Sequence, residues 1–431
     1  SRLLREQARG RGVDQGDGCR TRCRRLAGQF HRADLRRNGT DRGLPGRSGE
    51  SGIRAFWHPV GPVGQRRGSS SCGCLHRQRS LGLDDGHEPV DRWWVGGQVT
   101  HRPRIDLAAS PTTWGVDFAD NPQNPAWQRV LDEIQASGLH SLELGPVGYL
   151  PEDPDVLGPE LESRGLTTAG TFMFQPIYDD AQEGQVLDVA RRTSRVVREL
   201  GGRFLILVDQ PTELRVTTAG RSADAQRMVG ADRARYLERV RRIGDIAAGS
   251  ELRAVFHQHA GTNVEFLDEV EELFAGVDDD CLGMCLDTGH LAYAGIDPVD
   301  AIRRFADRID HVHFKDVDGA VLATARAQGW DFWTAISAGI FCPIGQGVVD
   351  FAGVVTALDA LEFTGTATIE QDRHPLSDTD PLADLRASIA HIEPLIAGQQ
   401  ASSDHPGSVG EKNAVEDRVD EDRVHEEGSH G

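Results

Sequence analysis

Residues 252–290 read LRAVFHQHAGTNVEFLDEVEELFAGVDDDCLGMCLDTGH. The opening run, LRAVFHQH (252–259), is apolar until it closes on two imidazoles, as a buried strand would. NVEFLDEVEELFAG (263–276) then places apolar residues at helical spacing, and LGMCLD (282–287) is a second apolar run. Strand, helix and strand in that order imply parallel pairing with a crossover helix. Each strand ends on groups that bind metals or carry protons: His257 and His259 on the first, Asp287 on the second, with His290 just beyond.

The alternation continues in both directions. Upstream lie strand IDLAA (105–109), helix WQRVLDEIQASG (127–138), strand HSLELG (140–145) and helix PDVLGPELESRG (154–165). Strand LTTAGTFMF (166–174), a helix over 180–201, strand RFLILV (203–208) and a helix over 231–248 follow. Downstream come helix PVDAIRRFADR (298–308), strand IDHVHFKD (309–316) and an insertion, 317–346, with a helical piece of its own. A helix over 350–361, strand TGTATIEQD (364–372) and helix PLADLRASIAHIEPLIA (381–397) close the pattern. Eight β-then-α units in about 290 residues imply an α/β fold closed as a (β/α)8 TIM barrel. A doubly wound open sheet would carry a Gly-rich phosphate loop after its first strand. DLAASPTTWG has none.

Charge divides the chain of 431 residues, whose net charge is −20, into three regions. Residues 1–105 hold 21 Arg against 10 acids, residues 106–398 hold 23 basic against 48 acidic, and residues 399–431 hold 3 against 9. The acidic centre repels a phosphate backbone, which excludes general nucleic-acid binding. No apolar run approaches the roughly 20 residues of a membrane span, and arginines interrupt any signal-peptide core. Cys281, Cys285 and Cys342 of the central region suggest no disulfide framework and read as reduced thiols in a cytoplasm.

Residues 1–104, rich in Arg and Gly, keep no helical or strand period. They read as a disordered extension, or as translated sequence upstream of the true start. Cys19-x3-Cys23 and Cys72-x-Cys74 are poorly spaced for zinc. The barrel is expected over 105–398, and the acidic tail 399–431 is expected to be disordered.

In a strand, residues two apart share a face, so His257 and His259 point together, as do His311, His313 and Lys315. Barrel interiors are normally packed with Val, Ile and Leu. Burying imidazoles and an ammonium there costs several kcal/mol unless they are paired or ligate something. Parallel barrel strands bring their carboxyl ends round one pocket, so His257, Asp287, His313 and Glu370 converge as a mixed nitrogen and oxygen shell. Such a shell suits Mn²⁺, Co²⁺, Fe²⁺ or Zn²⁺ better than Mg²⁺ or Ca²⁺, with Mn²⁺ or Co²⁺ placed first. Asp-Thr-Gly at 287–289 is also good turn chemistry. Beside 45 arginines the chain has two lysines, and Lys315 is the one in the folded region. Its placement two residues beyond His313 suggests a donor to a substrate oxygen, or a proton carrier with a depressed pKa. Glu143, near the end of the second strand, is a further candidate as base or hydroxyl partner.

An ordered set of motifs spans 105–397: SPTTWG (110–115), ELGPVGYLP (143–151), HQHAGT (257–262), CLDTGHLAYAGIDP (285–298), HVHFKDV (311–317), FCPIGQGVVDF (341–351) and IEQD (369–372). The set resembles the xylose isomerase-like TIM-barrel superfamily of sugar isomerases, epimerases and dehydratases, most nearly its inosose dehydratase branch. The resemblance implies a divalent metal on His257, Asp287, His313 and Glu370. Many relatives have Glu on the fifth strand where this chain has His-x-His, leaving His257 and His259 as alternative ligands.

The activity so implied is a hydro-lyase acting on a keto-inositol or similar polyol ketone through an enediolate. His259 or Glu143 would be the base and Lys315 or His290 the acid. A sugar isomerase or epimerase, and a barrel that binds sugars without catalysis, are the rival readings. The expected partners are a small polyol substrate, no nucleic acid and no membrane, with room for a homo-oligomer.

Overall fold

The structure, a computed structural model, describes residues 105–403 and two short strands, Trp93–Val95 and Gln98–Thr100. These two three-residue strands pair as an antiparallel hairpin inside the stretch in which no strand period was expected to persist beyond a few residues. The other readings for 1–104 and 399–431, the four N-terminal cysteines included, lie outside the described residues, except that the last helix runs on to Ser403.

Eight parallel strands close into a barrel: β1 (Ile105–Ala109), β2 (Ser141–Pro146), β3 (Thr167–Gln175), β4 (Phe204–Asp209), β5 (Arg253–His257), β6 (Gly283–Asp287), β7 (Ile309–Phe314) and β8 (Gly365–Ile369). They lie in chain order, and β8 closes against β1 from Gly365 opposite Ile105 to Ile369 opposite Ala109. The helices are α1 (Trp127–Ser137), α2 (Pro154–Ser163), α3 (Glu183–Glu199), α4 (Glu213–Thr218), α5 (Gly230–Ala248), α6 (Leu267–Gly276), α7 (Thr288–Ala294), α8 (Pro298–Arg304), α9 (Gly319–Gln328), α10 (Phe332–Ser337), α11 (Phe351–Ala360) and α12 (Pro381–Ser403). Two of them, α4 and α7, have no counterpart in the sequence reading. Each is a short helix after a strand, six or seven residues long, which leaves too few turns for a period to show.

The strand FLILVD of β4 is buried throughout because both faces are covered: one by helices, the other by the barrel interior. Helix α3 shows the complementary logic. Val186, Val189, Ala190, Val196 and Val197 form its buried stripe, while its arginines face water. Each such aliphatic side chain contributes about 1.5–3 kcal/mol when withdrawn from water.

Inside the barrel the lower part is apolar, with Phe204, Ile206, Val255 and Cys285 in one cluster. Above it the interior turns polar. Glu143, His311, His313 and Thr368 are buried there, and the ring of His311 lies 4.7 Å from that of Phe204. The register of β2 against β3 slips on both sides of Glu143. The insertion after β7 builds a second small core, in which Phe332, Ala335, Ile336 and Phe341 pack with Val216 and Tyr293. It thereby hangs α9 and α10 over the carboxyl ends of the strands, where a barrel of this kind carries its site.

Candidate active site and its cation-binding cluster

Thr112, Asp117, Phe172, Phe174 and Val208 come from the first half of the barrel to line a pocket of ≈ 450 Å³, its open mouth included. His257, His259, His313, Lys315, Glu370 and Asp372 line it from the second half, and Phe332, Trp333 and Ile336 wall it from α10. At its floor, one donor atom each from His257, Asp287, His313 and Glu370 lies within 4.8 Å of the others. His313 Nδ1 stands 2.9 Å from Glu370 Oε2 and 3.7 Å from Asp287 Oδ2, and His257 Nε2 stands 3.4 Å from Asp287 Oδ2.

Ring hydrogen bonds select the tautomers. His257 Nδ1 donates to the Gln258 carbonyl at 2.7 Å, which leaves the Nε2 lone pair facing the cluster. His313 Nε2 donates to Glu143 Oε1 at 2.9 Å, which leaves Nδ1 facing it. Asp287 divides its carboxylate: Oδ1 caps α7 by accepting from the His290 backbone at 2.7 Å, while buried Oδ2 faces the Lys315 ammonium at 3.2 Å and His257 Nε2 at 3.4 Å. The two readings of Asp287, cap and candidate ligand, are therefore compatible, since the cap uses only one of its oxygens. Two imidazole lone pairs, the Asp287 oxygen not used by the cap and Glu370 fit a divalent metal of the Mn²⁺ to Zn²⁺ group. With no cation beside it, His313 is itself held well above the usual imidazole range. Burial opposes the charge, but the Glu143 and Glu370 carboxylates outweigh it.

Glu143 lies in the middle of β2 rather than near its end, behind His313, and it does not line the pocket. Its Oε1 accepts from His311 at 2.7 Å, His313 at 2.9 Å and Thr368 at 2.6 Å. Burial works against the carboxylate, yet His313 and His311 hold it down at about 2. Such a carboxylate orients a ligating ring. The nearby Cys285 thiol, pushed up to about 12 by burial, stays protonated.

Lys315 departs from one of its two expectations. Burial disfavours the ammonium, but Asp287, Asp372 and Glu370 outweigh burial and raise its pKa well above the ordinary value rather than depressing it. The nitrogen lies 3.2 Å from Asp287 Oδ2, 3.1 Å from Glu370 Oε2 and 2.9 Å from Asp372 Oδ1. His290 sits in the first turn of α7 rather than in a loop. Its Nδ1 accepts from the Ala260 backbone at 3.2 Å, and its Nε2 is 3.3 Å from Asp372. His259 lies just past the end of β5, yet it reaches the same pocket as His257. Its Nδ1 donates to the Ala260 carbonyl at 2.8 Å, its ring stacks on His290 at 3.9 Å, and burial followed by His290 and His257 keeps it well below the usual imidazole range.

Asp117, Thr112, Asp372 and the α10 aromatics escaped the sequence reading. Asp372 could have been found, since it shares strand parity with Glu370. Asp117 could not, because it lies on an irregular loop. Burial, then Asp372, pushes its carboxyl well above the ordinary range.

A model of the xylose isomerase-like TIM barrel family matches residues 131–395. The chain belongs to that family. Among its relatives is an inosose dehydratase of Geobacillus kaustophilus (strain HTA426), 28% identical over 275 residues, which cover 63% of this chain and 88% of that protein. Two solved structures share the fold. An L-ribulose 3-epimerase superposes with a TM-score of 0.54 at 16% identity, covering 72% of this chain and 100% of its own. The IOLI protein with a binding zinc atom superposes with a TM-score of 0.52 at 16% identity, covering 68% and 99%. The relatives support a sugar dehydratase or isomerase-like enzyme. No helix among the described residues is long and apolar enough to cross a membrane.

Proposed function

We propose that this chain is a hydro-lyase that removes water from a keto-inositol (inosose) or a similar polyol ketone, in inositol or sugar catabolism in the cytoplasm. One observation carries the reading: four candidate cation ligands, His257, Asp287, His313 and Glu370, cluster at a pocket that a separate set of proton-handling groups, His259, Lys315 and Asp117, also lines. His257, Asp287, His313 and Glu370 would hold a divalent ion, Mn²⁺ or Co²⁺ before others, which supplies Lewis-acid polarisation of a carbonyl and its neighbouring hydroxyl.

The residues of the chain do the rest. His259, neutral and with Nε2 free, removes the proton from the carbon beside the carbonyl to give the enediolate. The hydroxyl on the next carbon leaves as water, taking a proton from the Lys315 ammonium or the protonated Asp117 carboxyl. One carbon–hydrogen and one carbon–oxygen bond break, a carbon–carbon double bond forms, and nothing is oxidised. General acid–base help of this kind is worth about 10²–10⁴-fold. Glu143 acts by positioning His313. The pocket's cation, Lys315, is already engaged by three carboxylates, so the described lining offers no anchor for a phosphate, which favours a neutral substrate.

The test is incubation of purified protein with Mn²⁺ or Co²⁺ and scyllo-inosose, following the dione in the ultraviolet. Turnover is expected. Interconversion of ketoses without dione would move the assignment to isomerase or epimerase, and sugar binding by a protein that purifies free of metal would make it a binding barrel.

A further inference from the structure

Beside the first quartet lies a second group of donors. His259, His290 and Asp372 place one donor atom each within 4.8 Å of the others. Two carboxylate oxygens face both groups. Asp287 Oδ2 is 3.4 Å from His257 Nε2 and 3.2 Å from Lys315 Nζ, and Glu370 Oε2 is 2.9 Å from His313 Nδ1 and 3.1 Å from the same Nζ. Oxygens so shared are bridging ligands in sites that hold two metal ions. Here one of the two positions is filled by an ammonium.

We infer that Lys315 occupies a second cation site built by Asp372, Asp287, Glu370 and His259, and that its ammonium keeps the centre mononuclear. This rests on the reading that the first quartet holds one divalent ion. Charge supports it. Asp287, Glu370 and Asp372 bring three negative charges, which one divalent ion and one ammonium cancel. Without the ammonium, a buried negative charge is left uncompensated, and that is costly unless another cation arrives. His259 is suited to receive one, since its Nδ1 hydrogen is committed to Ala260 and its Nε2 lone pair is free.

The lysine is also built in rather than incidental. Its side chain is buried, and its backbone is held on both sides by Thr288 Oγ1, which accepts from Lys315 N at 2.9 Å and donates to Lys315 O at 2.8 Å. A Cβ at Gly289 would stand 2.5 Å from Lys315 Cγ and 2.8 Å from its Cβ, so the stem passes where only glycine leaves room. Elsewhere the described residues use arginine for their guanidinium or ammonium cations. A guanidinium is planar and forked, whereas the ammonium is a compact point charge able to stand in a metal's place.

The experiment loads native protein, Lys315→Ala and Lys315→Met with excess Mn²⁺, removes free metal, and reads ions per chain by plasma mass spectrometry together with the paramagnetic resonance spectrum. Methionine keeps the stem past Gly289 but vacates the Nζ position, which guards against a folding failure of the alanine variant. The expected result is one ion per native chain, and two in either folded variant with the spectrum of an exchange-coupled pair. Adding Asp372→Asn to the variant should return the count to one. Two ions on the native protein, or one ion on both folded variants, overturns the inference alone. No ion on any of them overturns the single-metal reading as well.

Discussion

Glu143 Oε1 lies 2.9 Å from His313 Nε2, on the side of the ring opposite Glu370, so a residue of β2 orients a ligand on β7 from beneath the pocket. Replacing Glu143 by Gln keeps the shape but removes the charge that three donors share. A 10–100-fold loss of metal affinity is expected, read by chelator competition. Glu143→Ala should also cost about 3–5 kcal/mol of stability, because it strands two buried imidazoles. Native metal affinity in Glu143→Gln would remove the positioning role.

The quartet itself predicts a sharper effect. His257→Ala, His313→Ala or Glu370→Ala should each abolish metal retention and dehydration at native circular dichroism. His259→Ala should retain the metal while losing about 10²–10⁴-fold in kcat. Should His259→Ala lose the ion and His257→Ala keep it, the fifth-strand ligand is His259.

Gly289→Ala tests the passage of the Lys315 stem. The added methyl meets Cγ and Cβ of Lys315, not a flexible tip, so overpacking of about 1–3 kcal/mol should appear as a lowered Tm. Activity should fall with it, since the ammonium is displaced. Unchanged Tm and kcat would show that the stem can yield.

Asp209, at the end of β4, sets a pH dependence away from the pocket. Burial pushes its carboxyl up to about 7 from 3.8, despite a hydrogen bond of 2.8 Å from Asn263. Between those values the unfolded chain has released this proton while the folded chain keeps it. The contribution of Asp209 to stability therefore falls as pH rises from about 4 to about 7, by roughly 1.4 kcal/mol per unit. Urea unfolding of native protein and Asp209→Asn at pH 5 and pH 7 checks this: the variant should lose the decline.

Trp333 and Phe332 wall the pocket from α10. Trp333→Ala should raise KM several-fold with a smaller change in kcat, if the wall serves binding uniformly. Steady-state kinetics with the inosose would show a fall in kcat alone if the wall acts on the chemical step.

The eight strands were readable because both faces of a parallel strand are buried, so each appears as a short apolar run between helical periods. IDLAA matches β1 end to end, and FLILVD is displaced by one residue from RFLILV. The cation quartet was readable for a related reason. Polar residues closing apolar runs stand out, and barrel topology gathers those ends without any knowledge of side-chain detail. Short helices, loop acids such as Asp117 and the aromatics of α10 left no comparable trace, because nothing periodic ties them to the pocket.

What the sequence determined by itself was the order of elements, the closure they imply and the set of groups collected at one end. Tertiary structure decided where each group stands and which partners it meets. Glu143 and His259 were equal candidates as base until the fold placed one behind a ligand and the other on the pocket wall. Lys315 could have been a lowered-pKa carrier until three carboxylates, one at the end of β6 and two just beyond β8, were seen around it. A residue's type and spacing fix which atoms it can offer, but its charge state and role depend on partners far away in the chain. Those partners are set only when the barrel closes.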